Sequence, residues 1–215
     1  HLQLANIDGL SSLTEIGGSL VLFTNYALQN VNGFSALEEI GIDVIIQEND
    51  VLANVNGLNL IQEITGDLVI RDNSLLENVD GLESLTSIGL DLVFRNNPAP
   101  DNLAGLSGLE AIGRDFIIEG NFKLNNLDGL SSLVSIARDL KVESNPALAN
   151  FEGLSALESI GRDLIVTRNE ALEKLDGLAT LVNIGSDLVI KNNEILRSLV
   201  GVDSLTTIGG DFSLL

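Results

Sequence analysis

Ile184-Gly185-Ser186-Asp187-Leu188-Val189-Ile190-Lys191-Asn192-Asn193 is the stretch whose reading decides the fold. A Gly-containing corner leads through Asp187 into a β-favouring apolar run, and the run ends at a pair of asparagines. The phrase returns along the chain without insertion or deletion. Its opening isoleucine stands at Ile16, Ile40, Ile64, Ile88, Ile112, Ile136, Ile160, Ile184 and Ile208, in steps of 24 residues. Gly9, Gly33, Gly57 and their successors to Gly201 keep the same step, as do Asn25, Asn49, Asn73, Asn97, Asn121, Asn145, Asn169 and Asn193. An aspartate series runs Asp43, Asp67, Asp91, Asp115, Asp139, Asp163, Asp187 and Asp211, with Ser19 in its first place.

A period this short and strict marks a solenoid, in which each unit buries its apolar face against its neighbours. The unit is too short for the helix pairs of common helical repeats, which take more than about 30 residues. Outside the apolar run each copy is apolar at three-residue steps, as in Leu76, Val79, Leu82, Leu85 and Ile88. That spacing alone would suit a helix, but Asp80-Gly81 and its equivalents are turn dipeptides. The sequence predicts three short extended segments per coil, joined by corners. Stacking at the strand spacing of about 4.8 Å makes core ladders of equivalent residues. One runs Leu20, Val44, Leu68, Leu92, Phe116, Leu140, Leu164, Leu188, Phe212, and a second Leu22, Ile46, Ile70, Phe94, Ile118, Val142, Val166, Ile190, Leu214.

Asn73, Asn97, Asn121 and Asn145 are expected to form an amide ladder at one corner. Asp91, Asp115, Asp139 and Asp163 are expected to cap corner N–H groups, and the repeated glycine to supply a backbone conformation closed to other residues. Pro100 replaces a core leucine, removes a donor, and should disturb that corner alone. His1 falls at the asparagine position, and neither end shows a polar cap. Residues 1–215 are therefore expected to be one repeat domain within a longer polypeptide, next to other domains.

Asp67-Leu68-Val69-Ile70 with Asn73, followed by Leu76, Val79, Gly81, Leu82, Leu85, Ile88 and Gly89, resembles the receptor L-domain repeat, a relative of leucine-rich repeats. The resemblance covers essentially the whole chain. It implies an all-β, right-handed, parallel β-helix-like solenoid of nine 24-residue coils with little helix. It also implies a place among ligand-binding lobes of receptors and microbial surface proteins. The chain has no cysteine, unlike the receptors, so the microbial surface type is the closer resemblance.

The chain is 45% hydrophobic with a mean hydropathy of +0.30 and only 4% aromatic, so its core is built from Leu, Ile and Val. Its formal net charge is −20, and no Lys or Arg precedes Arg71. Such a field disfavours nucleic acid and anionic membranes, which need clustered cations. No apolar run approaches the roughly 20 residues of a membrane span. The absence of cysteine and of Asn-x-Ser/Thr acceptors points to an exported bacterial protein, extracellular or at the cell surface.

Chemistry has little to stand on. His1 is the lone histidine, so Ser–His–Asp and Cys–His arrangements are excluded. Carboxylate pairs of the glycosidase kind remain conceivable, but every member of the aspartate series is a repeat position. Calcium at that series is the sharper alternative to capping, and an anion site the sharper alternative to charge balance at Arg114, Arg138 and Arg162. None of the rows is Thr-rich, as an ice-binding face would be. No enzyme activity, cofactor or metal site is expected. The outward middle row of the strands, Val21, Ile45, Val69, Val93, Ile117, Lys141, Ile165, Val189, reflects either strand preference or a contact surface. Beside it runs the most varied row, Phe23, Gln47, Arg71, Arg95, Glu119, Glu143, Thr167, Lys191. The expected function is a non-catalytic binding or adhesion scaffold that takes a protein or glycan on Val69, Arg71, Val93, Arg95, Ile117 and Glu119. The alternative is a rigid spacer of roughly 43 Å.

Overall fold

A computed structural model describes residues 3–215; His1 and its expected place in the asparagine ladder lie outside the described residues. Each apolar run forms a long strand: Leu20–Phe23 (β1), Val44–Gln47 (β2), Leu68–Arg71 (β3), Leu92–Arg95 (β4), Phe116–Glu119 (β5), Leu140–Glu143 (β6), Leu164–Thr167 (β7), Leu188–Lys191 (β8) and Phe212–Leu214 (β9). The nine strands lie side by side in chain order as one parallel sheet. Each residue faces its equivalent 24 positions on: Leu68 pairs with Leu92 and Leu92 with Phe116. Two-residue strands ending on the repeated isoleucines, such as Ser87–Ile88, Ala111–Ile112 and Ser135–Ile136, build a second parallel sheet. The protein is thus an all-β parallel solenoid, and among the described residues it has no α-helix.

The core is continuous along the axis. In one coil Leu68, Ile70, Leu76, Val79, Leu82, Leu85 and Ile88 are each no more than 1% exposed. The expected third extended segment is replaced by tight turns, with Asp80–Leu82 a single turn of 3₁₀ helix. The residue spacing explains the difference. A strand alternates inward and outward every second residue, and would expel half of an apolar series spaced by three. A 3₁₀ turn repeats every three residues, so Leu76, Val79, Leu82 and Leu85 all point inward. The bonds follow that period: Leu76, Leu82 and Leu85 N–H donate to Asn73, Val79 and Leu82 carbonyls at 3.3, 3.0 and 3.0 Å.

The repeated glycine owes its place mainly to contact rather than to backbone conformation. At Gly81 the backbone φ is not positive, yet an added Cβ would collide with the Val55 carbonyl of the coil before it. Gly9, at the open end, would meet nothing. Only Gly129, Gly177 and Gly201 also take positive φ. There the turn reorients its peptide, and the Asp128 and Asp176 carbonyls accept from Leu103 and Phe151 N–H at 3.0 and 2.8 Å. The left-handed conformation sits elsewhere, on the residue after each long strand. Thr24, Glu48, Asp72, Asn96, Ser144, Arg168 and Asn192 have φ between 53 and 58°, with Gly120 at 69°. Each such non-glycine costs about 1 kcal/mol or more, and it turns the following asparagine into the core.

Pro100 is buried in the leucine's place. It lacks the N–H that Leu76 and Leu124 give to Asn73 and Asn121. The bond from Glu77 N–H to Ala53 O has no counterpart at Asp101, and the series resumes with Asn125 N–H to Asp101 O at 3.0 Å. The disturbance therefore stays within one corner.

Candidate functional site

The corners flanking each long strand are occupied by structure. The asparagine side chains of the middle coils are fully buried. Asn121 shows the pattern: its N–H donates to Asn145 Oδ1 at 3.0 Å, and its Nδ2 donates to Phe94 O at 3.0 Å and Asn145 Oδ1 at 3.1 Å. Its own Oδ1 accepts from Asn97 N–H at 3.0 Å. Asn73 N–H reaches Asn97 Oδ1 at 3.1 Å, and Asn145 N–H reaches Asn169 Oδ1 at 3.1 Å. At the opposite corner Asp115, Asp139 and Asp163 N–H donate to Oδ1 of Asp91, Asp115 and Asp139 at 3.0, 3.1 and 3.1 Å. Arg114, Arg138 and Arg162 lie over the same carboxylates, Nε to Oδ1, at 3.6, 3.6 and 3.8 Å. These pairs are one-third to one-half exposed on the arginine side and contribute under about 1 kcal/mol each. Among the described residues no cluster of His, Asp or Glu is placed to hold a metal ion.

The outward face of the long sheet is different. Along each middle strand, burial alternates, with the first and third residues inward. Val69, Val93 and Ile117 form one row of this face, and Arg71, Arg95 and Glu119 the next. A hollow of about 380 Å³ lies over β2 to β5, lined by Ile45, Gln47, Val69, Arg71, Val93, Arg95 and Ile117. Its charges are unevenly paired. Arg95 Nη2 binds Glu119 Oε2 at 2.7 Å, while its buried Nε has no partner. Arg71 stands directly opposite Arg95, and among the described residues it makes no ion pair or side-chain hydrogen bond. Like charges in direct opposition are unfavourable, so an anionic or amide oxygen arriving here would relieve a repulsion. On the other half of the sheet Glu143 accepts both Lys141 Nζ at 2.8 Å and Arg168 Nη1 at 2.9 Å.

A further hollow of about 340 Å³ opens beyond the strand ends, between Phe122, Ser144, Pro146, Arg168, Glu170, Asn192 and Glu194. None of these residues belongs to the face expected from the sequence to take a partner. The available signal is Phe122, an aromatic in the middle of a repeat row that opens on Tyr26 and is polar at Asp50, Ser74, Glu170 and Glu194.

Fold and corner geometry define the class, a parallel β-solenoid repeat protein whose unassigned surface is the outward face of the long sheet and the corner beside it. Comparison with protein families, with curated proteins and with solved structures finds no match. Among the described residues no helix is long and apolar enough to cross a membrane.

Proposed function

We propose that the chain is a non-catalytic binding or adhesion module of the receptor L-domain type, exported by a bacterium and secreted or displayed at its surface. It holds a protein or glycan partner on the outward face of β3 to β5, through Val69, Arg71, Val93, Arg95, Ile117 and Glu119. The observation that carries this reading is the hollow over β2 to β5, where an apolar row adjoins two arginines that are incompletely paired. Apolar patches edged by polar groups are a common form of contact surface. The test is a solid-phase screen of immobilised extracellular proteins and glycans, run with wild type and with R71E/R95E. A ligand retained by wild type and lost by the double variant supports the face; unchanged retention counts against it.

A rigid spacer in a larger surface protein is the second reading. It is favoured by the unbroken ladders, which tie nine strands into a rod of about 38 Å along the stacking axis. Deleting one 24-residue coil outside β2 to β5 would leave a binding module active. A spacer would instead lose function in proportion to length.

A further inference from the structure

We propose that the corner hollow around Phe122 is a binding subsite for a neutral pyranose sugar, separate from the sheet face. Phe122 is 64% exposed, whereas Phe34, Phe94, Phe116 and Phe151 are buried. It lies mid-solenoid with coils on both sides, so an open end does not explain its exposure. Equivalent positions in the neighbouring coils are Pro98 and Pro146, rigid residues without an N–H to donate. At the left-handed position of its own coil stands Gly120, which adds no side chain to that column.

The polar lining is uncommitted. The Ser144 hydroxyl, the Asn192 side-chain amide and the Glu170 and Glu194 carboxylates make no hydrogen bond or ion pair among the described residues. Arg168 is held in place by Glu143 at 2.9 Å. The hollow thus combines an exposed aromatic face with acceptors at Glu170 and Glu194, a donor at Arg168, and groups that do both at Ser144 and Asn192. A pyranose presents the complement, an apolar C–H face for the ring and a rim of hydroxyls that each donate and accept. The size is at the lower end of small-ligand sites, enough for on the order of one or two sugar rings.

The same residues disfavour other ligands. A uronate or other anionic sugar meets two carboxylates. An organic cation would gain the ring and those carboxylates, but it would meet the Arg168 guanidinium and leave the Asn192 and Ser144 donors unused.

The test is an amide NMR titration of the full chain with methyl glucosides, galactosides and mannosides, alongside methyl glucuronide and tetramethylammonium. The expected result is saturable shifts confined to residues near Phe122, Ser144, Arg168 and Asn192, produced by at least one neutral hexoside. Phe122→Ala, at an exposed position where folding is not at stake, should weaken binding about tenfold, and Glu170→Gln should weaken it with the ring intact. R71E/R95E should bind the sugar as wild type does. Four results would overturn the proposal: no shift with any neutral hexoside, equal binding by Phe122→Ala, equal shifts from the glucuronide or the ammonium ion, or loss of the sugar in R71E/R95E.

Discussion

Each long strand from β2 to β8 is held between two corners, and the two are fastened by different chemistry. The corner after the strand uses asparagine, fully buried in the middle coils, with each side chain both giving and receiving bonds. The corner before it uses aspartate, part-buried, which only receives: each Oδ1 takes the backbone N–H of the next aspartate. The side chains differ by one group, and the consequences follow from it. An amide carries donor and acceptor and no charge, so it can repeat along an axis inside the protein. An ionised carboxylate carries acceptors and a charge, so stacking it accumulates repulsion. At about 4.8 Å each neighbouring pair costs roughly 1 kcal/mol even in water-like surroundings. The aspartate corner therefore stays partly wet, and the middle of its column carries arginines.

Exchange at the buried corner should produce the largest effect. Asn121→Asp keeps the shape but turns the donations to Phe94 O and Asn145 Oδ1 into oxygen–oxygen contacts, with a charge sealed inside. The expected loss is more than about 3 kcal/mol. That amounts to a fall in Tm on the order of 10 °C for a chain of this length. Asn121→Ala removes the same bonds without burying a charge. It leaves Asn97 N–H unpaired and strips Phe94 O of its side-chain donor, and should cost about 2–4 kcal/mol. Thermal melts followed by circular dichroism check both. An Asn121→Asp variant as stable as wild type would show that the corner tolerates charge and that the contrast with aspartate is accidental.

The comparison also shows what the residues reveal on reading. A ladder is legible because equivalence along the axis follows from the period alone: Asn97, Asn121 and Asn145 must stack once the repeat is strict. The same reasoning gave the inward rows through Leu92 and Phe94. Features that depend on where the backbone bends are less legible. Nothing at Thr24, Glu48 or Arg168 announces a left-handed residue, because the conformation is imposed by the asparagine that follows. The role of Gly81 is hidden for a related reason, since it depends on the distance to Val55 in another coil. The Phe122 hollow is less legible still. It is a meeting of side chains from four coils at two column positions, and no single copy of the repeat contains it.

Asp115→Asn is the mildest test and the sharpest, because it carries the asparagine chemistry to the other corner. The new Oδ1 can still accept the Asp139 N–H, so the fastening bond survives. One charge leaves a column in which Asp91 and Asp139 flank it, and the solvent-screened contact with Arg138 at 3.6 Å is lost. The first change is favourable and the second unfavourable, each by under about 1 kcal/mol. Stability should therefore stay within about 1 kcal/mol of wild type. The salt dependence should move more clearly. Added sodium chloride screens the repulsion among carboxylates, so wild type should gain stability with salt, and Asp115→Asn should gain less. Urea unfolding at low and high salt measures both quantities. A loss comparable to that of Asn121→Ala would mean that the carboxylate charge itself, rather than its acceptor oxygen, holds this corner, and the contrast between the two corners would have to be redrawn around Arg138.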